Sequence, residues 1–119
     1  MKTTQVKAYG TSAAENPLMP MDIDRREVTD NAIEIDILYC GVCHSDLHTA
    51  RNDWGFTSYP AGPGHEIVGK VTRVGSAVTK LKVGDFAAVG CLVGSCGTCS
   101  SCQQDLEQYC HNGWVGTYN

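Results

Sequence analysis

The sequence predicts a mainly β fold, a small barrel or sandwich that carries a cysteine-rich lobe. Its apolar segments are short, and the turns between them are rich in proline and in the chain's thirteen glycines. Only one short helical pattern occurs in the first ninety residues, and from Cys91 onward cysteine spacing replaces the hydrophobic pattern. A chain of 119 residues is long enough for one domain and too short for two of ordinary size.

The first predicted strand covers residues 7–10, and a loop that carries Pro17 and Pro20 follows it. Residues 33–39 then alternate between apolar and other side chains along most of their length, which is typical of a strand. The alternation predicts one buried face formed by Ile33, Ile35, Ile37 and Tyr39.

A short helix is predicted over residues 46–51, with Ser45 as its N-cap. This arrangement would place Cys43 beside the positive end of the helix dipole. A thiolate is favoured at such a position, so Cys43 is a candidate reactive or metal-binding cysteine.

Two more strands are predicted after the helix. Residues 66–75 are rich in β-branched side chains, and Gly69 within them indicates a bulge or a close approach of another backbone. Residues 82–90 indicate a turn that leads into a further strand. No internal repeat or low-complexity segment is visible.

The charge pattern and the N-terminus exclude several function classes. The net charge is −4 and the only adjacent basic pair is Arg25 and Arg26, so we expect no nucleic acid partner and no anionic membrane surface. The N-terminal residues have no apolar core typical of a signal peptide. The longest run of apolar residues and glycine, residues 86–94, falls well short of the ~18 needed to span a bilayer. We therefore expect a cytoplasmic protein.

The seven cysteines indicate metal binding. In a reducing compartment clustered cysteines are more often metal ligands than disulfides, and an odd number cannot pair completely. Four of them, with spacers of two, two and seven residues, suit one tetrahedral Zn²⁺ with a closed, structural coordination shell: Cys96, Cys99, Cys102 and Cys110. An iron–sulfur cluster and a disulfide-linked loop are the alternatives. We expect His111 to be a surface residue and Cys91 to be a small buried apolar one.

A second set of ligand types consists of Cys43, His65 and Glu66. Thiolate, imidazole and carboxylate are competent zinc ligands, but the spacing alone indicates a site only weakly, because a histidine in a Gly-Pro-Gly turn is usually structural. The run from Cys40 to His44 also reads Cys-x-x-Cys-His, a pattern compatible with haem attachment, with thiol–disulfide exchange or with one arm of a metal site.

Three motifs follow one another along the chain: GVCHSDLH, GPGHEIVGKVTRVGSAV and SCGTCSSCQQDLEQYC. In this order they resemble the N-terminal catalytic domain of zinc-dependent medium-chain alcohol dehydrogenases. The details YCGVCHSDLH, PGHEIVG, KVGDFAAVG and GTYN are most similar to the cinnamyl-alcohol-dehydrogenase-like branch. The resemblance covers nearly the whole chain. It implies a GroES-like β-barrel over residues 1–119 with a structural zinc lobe at about residues 91–112.

The resemblance also implies roles for individual residues, taken position by position. Two zinc ions per chain are implied, one structural and one catalytic. The catalytic zinc is implied to bind Cys43, His65 and, when the shell rearranges, Glu66, while the four-cysteine loop holds the structural zinc. Ser45 is implied to accept the proton of the substrate alcohol, and His48 to be the outer member of that proton relay. Asp46 is implied to orient His65. His44 is implied to contact the cofactor pyrophosphate, and Trp54 to form a wall of the substrate pocket.

The implied reaction interconverts primary alcohols and aldehydes by hydride transfer with NADP(H), in an enzyme that forms homodimers. No Rossmann fingerprint is present, since Ile67 stands in the third glycine place after Gly62-Pro63-Gly64. The family's third cysteine ligand to the catalytic zinc also has no counterpart here. We therefore expect the 119 residues alone to turn over little or no substrate. The competing hypotheses are a non-catalytic zinc-binding module and a haem electron-transfer protein.

Overall fold

The computed structural model describes residues 3–118, so Met1, Lys2 and Asn119 of the predicted domain lie outside the described residues. The strands are β1 (Thr3–Gly10), β2 (Met19–Arg26), β3 (Ile33–Gly41), β4 (Glu66–Val74), β5 (Phe86–Val89), β6 (Leu92–Gly94) and β7 (Val115–Gly116). Helix α1 covers His44–Arg51, and two 3-10 helices cover Cys102–Gln104 and Glu107–Tyr109. The mainly β class with short helices is confirmed.

The described strands form three antiparallel sheets. β1 pairs with β2, β3 pairs with β4 and β4 with β5, and β6 pairs with β7. An isolated bridge between Thr11 and Ala61 connects the end of β1 to the loop before β4. The small core includes Val71 of β4 and Thr49 of α1, which are 1% and 2% exposed.

The predicted loop around Pro20 is wrong, because this segment forms β2. Pro20 lies opposite Tyr9 in a strand that pairs only with β1 among residues 3–118, and an edge strand tolerates the missing N–H of proline. The alternation is visible in retrospect, since Met21 and Ile23 are half-buried and Asp22 between them is exposed. Proline and the flanking charges concealed this pattern in the sequence.

The predicted buried face of β3 is correct only in its first half. Ile33 and Ile35 are half-buried, whereas Ile37 and Tyr39 are 58% and 75% exposed. The β3–β4 register shifts between Ile37 and Tyr39, and such an irregularity changes the direction of the following side chains. A simple period of two therefore does not hold along the whole strand.

Gly69 marks a close backbone approach, as the sequence predicts. A Cβ atom at this position would lie 2.2 Å from Ile35 Cγ2 and 2.4 Å from the backbone oxygen of Asp36. Both atoms belong to β3, which pairs with β4 here. Glycine therefore permits the β3–β4 pairing at this point.

The same pairing brings two distant segments together. β3 ends where β4 begins, because Gly41 is the register partner of Glu66. Residues 42–65 leave this end of the sheet and return to it, and α1 lies within this excursion. Side chains that flank the two strand ends are therefore neighbours in space.

Within residues 3–118, no helix combines the length and the hydrophobicity that crossing a bilayer requires.

We predict that Gly69→Ala lowers the free energy of unfolding by about 1–3 kcal/mol, because the added methyl group overlaps β3. Gly90→Ala is the matched control, since a Cβ atom at Gly90 has no neighbour within 4 Å. Urea unfolding followed by circular dichroism measures the free energy of unfolding of both variants. Equal midpoints for the two variants would show that the close approach is absent in solution.

Candidate active site and metal centres

Helix α1 begins with Cys43 as its N-cap, two residues earlier than predicted. The prediction of Ser45 as N-cap is wrong, because the backbone N–H of Cys43 donates to Oδ2 of Asp46 at 2.8 Å and so fixes the earlier start. Ser45 instead lies in the first turn, where its Oγ is 2.9 Å from Sγ of Cys43. The prediction that Cys43 lies at the positive end of the helix is confirmed.

Cys43, His65 and Glu66 converge at the end of the β3–β4 pair. One possible ligand atom from each residue lies within 4.8 Å of those of the other two. His65 is buried, Cys43 is half-buried and Glu66 is exposed. Glycine at position 41 leaves room for this cluster, since a Cβ atom there would lie 2.4 Å from Oε2 of Glu66. The donor types and their convergence fit a Zn²⁺ ion.

The imidazole of His65 has two neighbours at Nδ1. The hydroxyl oxygen of Tyr118 lies 2.8 Å away, and Oδ1 of Asp46 lies 3.3 Å away. The rings of His65 and Tyr118 are also in contact, with centroids 5.2 Å apart. Sequence reasoning missed Tyr118, which entered only as part of the GTYN similarity. A hydrogen bond across 53 positions leaves no local pattern in the sequence.

Burial raises the pKa of Tyr118, and the carboxylate of Asp46 raises it further, although contacts with Thr49 and Ser45 oppose the shift. The phenol therefore keeps its proton at neutral pH and remains a hydrogen-bond donor.

His48 lies on the exposed side of α1 and bonds Asp53. Its Nδ1 is 2.8 Å from Oδ2 of Asp53, a residue that follows the end of the helix. The residues described include no direct hydrogen bond between Ser45 and His48. The helix thus carries both predicted relay residues, but it does not join their side chains directly.

Aromatic side chains continue outward from His48. Ring centroids are 4.9 Å apart for His44 and His48, 5.1 Å for His48 and Trp54, and 5.9 Å for Trp54 and Phe56. His44 is exposed, and Trp54 and Phe56 are 49% and 64% exposed. Phe56 was missed in the sequence, where a single aromatic residue in a loop carries no specific signal.

A cavity of about 240 Å³ lies beside the cluster. The residues lining it include Ser45, His65, Trp54, Phe56, Cys91, Trp114 and Tyr118. The expectation that Cys91 is buried is wrong: it is exposed and faces this cavity, because it precedes the short strand β6 at the surface. The cavity combines aromatic walls with a few polar groups, which is typical of a small-molecule site.

The second candidate metal centre is the four-cysteine loop. Its sulfurs, from Cys96, Cys99, Cys102 and Cys110, all lie within 4.8 Å of one another. All seven cysteines are free thiols, so no disulfide forms this loop. The two 3-10 helices shape its second half, with Cys102 at the start of the first and Cys110 directly after the second.

Backbone N–H groups point at these sulfurs. Cys99 donates to Sγ of Cys96 at 3.4 Å, and His111 donates through its backbone to Sγ of Cys99 at 3.5 Å. Hydrogen bonds from Thr98 and Cys99 lower the pKa of Cys96 to about 5. The side chain of His111 is exposed and contacts Ser101, as expected of a surface residue.

Cys102 differs from Cys96. The Ser95 hydroxyl lowers the pKa of its thiol, but burial and the contact with Cys99 outweigh this effect and raise it to about 11. A set of four sulfurs with N–H donors that compensate negative charge fits a tetrahedral Zn²⁺ ion.

The chain is similar in sequence to a known domain family and to known proteins. The family model that matches it describes the alcohol dehydrogenase GroES-like domain and covers residues 29–119. A probable mannitol dehydrogenase of Medicago sativa is 57% identical over 116 residues, which are 96% of this chain and 32% of the relative. Aldehyde reductase YahK of Escherichia coli is 53% identical over 115 residues, 97% of this chain and 33% of the relative.

Two solved structures share the fold closely. A cinnamyl alcohol dehydrogenase from Sorghum bicolor has a TM-score of 0.92 and 43% identity, and the match covers 98% of this chain and 33% of that one. The CAD from Helicobacter pylori complexed with NADP(H) has the same TM-score, 40% identity and the same coverage. The chain thus spans about a third of the length of these relatives. The predicted GroES-like fold is confirmed, and the chain belongs to the alcohol dehydrogenase GroES-like domain family.

Proposed function

We propose that these 119 residues form the catalytic-domain part of a zinc-dependent dehydrogenase that interconverts primary alcohols and aldehydes with NADP(H). The observation that carries this proposal is the convergence of Cys43, His65 and Glu66 beside Ser45 and an aromatic cavity. The relatives named as mannitol dehydrogenase and aldehyde reductase support the reaction class.

The two sets of ligands have different proposed roles. The four-cysteine loop would hold a structural zinc, because four sulfurs leave no open position. Cys43, His65 and Glu66 would hold the catalytic one, which supplies Lewis acidity that makes an alcohol hydroxyl more acidic or an aldehyde carbonyl more electrophilic. His65 would bind through Nε2, since its Nδ1 already contacts Tyr118.

Ser45 is the proposed proton acceptor. Ser45 lines the cavity, and its Oγ lies 2.9 Å from Sγ of Cys43, so this hydroxyl is the one we expect to reach a substrate oxygen held at the cluster. His48 is the proposed outer acceptor. Asp53 binds its Nδ1, which leaves Nε2 free to take a proton. A bridging water would complete the path from Ser45 to His48, because no direct bond joins these side chains.

The cavity favours substrates with a flat apolar part. Trp54, Phe56 and Trp114 form its walls, and aromatic walls suit primary and aromatic alcohols and the corresponding aldehydes. We propose that residues outside this chain bind NADP(H), with His44 near the pyrophosphate, and that the enzyme is a cytoplasmic homodimer. The complex of the Helicobacter pylori structure with NADP(H) supports this cofactor.

We predict that Ser45→Ala lowers kcat for NADPH-dependent reduction of cinnamaldehyde by about 100-fold or more, because the proton relay is broken. The assay uses the protein translated from the whole reading frame that contains these 119 residues. Ser12→Ala is the control, since Ser12 is an exposed hydroxyl that bonds Asn16 and does not line the cavity. An unchanged kcat in Ser45→Ala would contradict the relay.

The 119-residue chain, assayed alone, should reduce little or no aldehyde, because it carries no nucleotide-binding loop. Gly62-Pro63-Gly64 lies in the turn before β4 and leads into a strand rather than a helix. NADPH oxidation under the same conditions measures this, and turnover by the isolated chain at the rate of the full-length product would refute it.

We predict that Cys110→Ser removes about one zinc per chain and makes the loop sensitive to protease, because metal binding supplies much of the loop's folding free energy. Cys40→Ser is the control, since Cys40 is exposed and belongs to neither ligand set. Elemental analysis of the purified variants gives the zinc content. Equal zinc in Cys110→Ser and the unsubstituted chain would eliminate the structural site.

A further inference from the structure

Residues 52–59 leave the C-terminus of α1 as a loop that carries part of the cavity wall, and we name this segment the aromatic loop. Trp54 and Phe56 of this loop are exposed, line the cavity and stack on each other at an interplanar angle of 18°. Thr57 and Tyr59, near its end, are half-buried. The position of the aromatic loop therefore decides where one wall of the cavity lies.

Two hydroxyl groups of the aromatic loop bond the last turn of α1. Oγ1 of Thr57 donates to the backbone oxygen of Thr49 at 2.7 Å. The hydroxyl of Tyr59 donates to the backbone oxygen of Ala50 at 2.7 Å. Backbone oxygens in the last turn of a helix have no N–H partner within the helix. Thr49 and Ala50 are 2% and 8% exposed, so little water reaches these oxygens and the loop supplies their donors instead.

The first residues of the aromatic loop are held by backbone bonds. The N–H of Asp53 donates to the backbone oxygen of His48 at 3.0 Å, so Asp53 stays beside the His48 imidazole without help from the two hydroxyls. Further along, Gly55 has a φ of +78°, and a Cβ atom there would have no neighbour within 4 Å among the described residues. Trp54 and Phe56 flank this open turn, so the attachments at the two ends of the loop restrain them.

We propose that Thr57 and Tyr59 are positioning residues, whose hydroxyl groups hold the aromatic loop on α1 and thereby set the wall against which an aromatic substrate packs. A wall that is already ordered loses less conformational freedom when a substrate binds. An aromatic aldehyde that reaches Trp54 and Phe56 gains from this order, whereas a small aldehyde such as acetaldehyde does not. The effect on substrate choice rests on the proposed function, and the attachment of the loop does not.

The first test compares Thr57→Val, which removes the hydroxyl and keeps the size of the side chain, with Thr57→Ser, which keeps the hydroxyl. Thr72→Val is the matched control, because Thr72 is another half-buried threonine and its hydroxyl bonds the backbone oxygen of Glu34 in β3. Steady-state kinetics of NADPH-dependent reduction use the protein translated from the whole reading frame, with cinnamaldehyde and acetaldehyde as substrates.

We expect Thr57→Val to raise KM for cinnamaldehyde by about 3–10-fold, the effect of losing one hydrogen bond that orders the wall. KM for acetaldehyde and kcat for both aldehydes should stay within about twofold, because the Asp53 bond to His48 does not use Thr57. Thr57→Ser and Thr72→Val should behave like the unsubstituted protein. A general loss of stability would not separate the two substrates in this way.

The second readout is independent of turnover. In protein labelled with fluorotryptophan, the ¹⁹F NMR resonance of Trp54 is identified by its loss in Trp54→Phe. Thr57→Val should move and sharpen this resonance, because a less restrained ring samples more environments and reorients faster. Tyr59→Phe removes the second bond and should act in the same direction, so it carries the comparison if circular dichroism shows that Thr57→Val does not fold.

The outcomes separate the two proposals. A Trp54 resonance that is unchanged in both Thr57→Val and Tyr59→Phe would overturn the attachment. Equal changes of KM for the two aldehydes would overturn the role of the loop in substrate choice. An unsubstituted protein that reduces neither aldehyde would contradict the proposed function, while the NMR comparison would still decide on the attachment.

Discussion

The candidate active site depends on the antiparallel pairing of β3 and β4. Their register sets Gly41 opposite Glu66, so the chain leaves the sheet and returns to it at one point. Cys43 and His65, which are distant in sequence, lie just beyond the two strand ends and therefore meet. Glycines 41 and 69 are needed for this pairing, because a side chain at either would collide with the opposite strand or with Glu66. The β3–β4 pairing thus brings a set of possible metal ligands together.

Helix α1 gives this set its direction. The bond from the Cys43 backbone to Asp46 starts the helix beside the strand end, and the first turn then carries Ser45 towards the cavity. Oδ2 of Asp46 accepts the backbone N–H at the start of the helix, and Oδ1 lies 3.3 Å from Nδ1 of His65. The helix start and the imidazole orientation are therefore physically coupled, and a change at Asp46 disturbs both.

The sequence predicts local features better than contacts. The four-cysteine loop is visible because its ligands lie within fifteen residues, and the starts of β3 and β4 follow from short-range patterns. The convergence of Cys43 with His65 follows from strand register, which spacing does not encode, so the residue types indicated it only weakly and the family resemblance indicated it strongly. Ser45 was misplaced as the N-cap because Asp46 provides a competing hydrogen bond. Tyr118 was missed because its hydrogen-bond partner, His65, lies 53 positions away in the sequence.

The proposed function requires two zinc centres of different character. Anomalous diffraction at the zinc edge from crystals of the zinc-loaded protein tests it most directly. We expect two peaks, one surrounded by the four sulfurs of the cysteine loop and one within bonding distance of Sγ of Cys43 and Nε2 of His65. A single peak at the cysteine loop, with no density between Cys43 and His65, would contradict it.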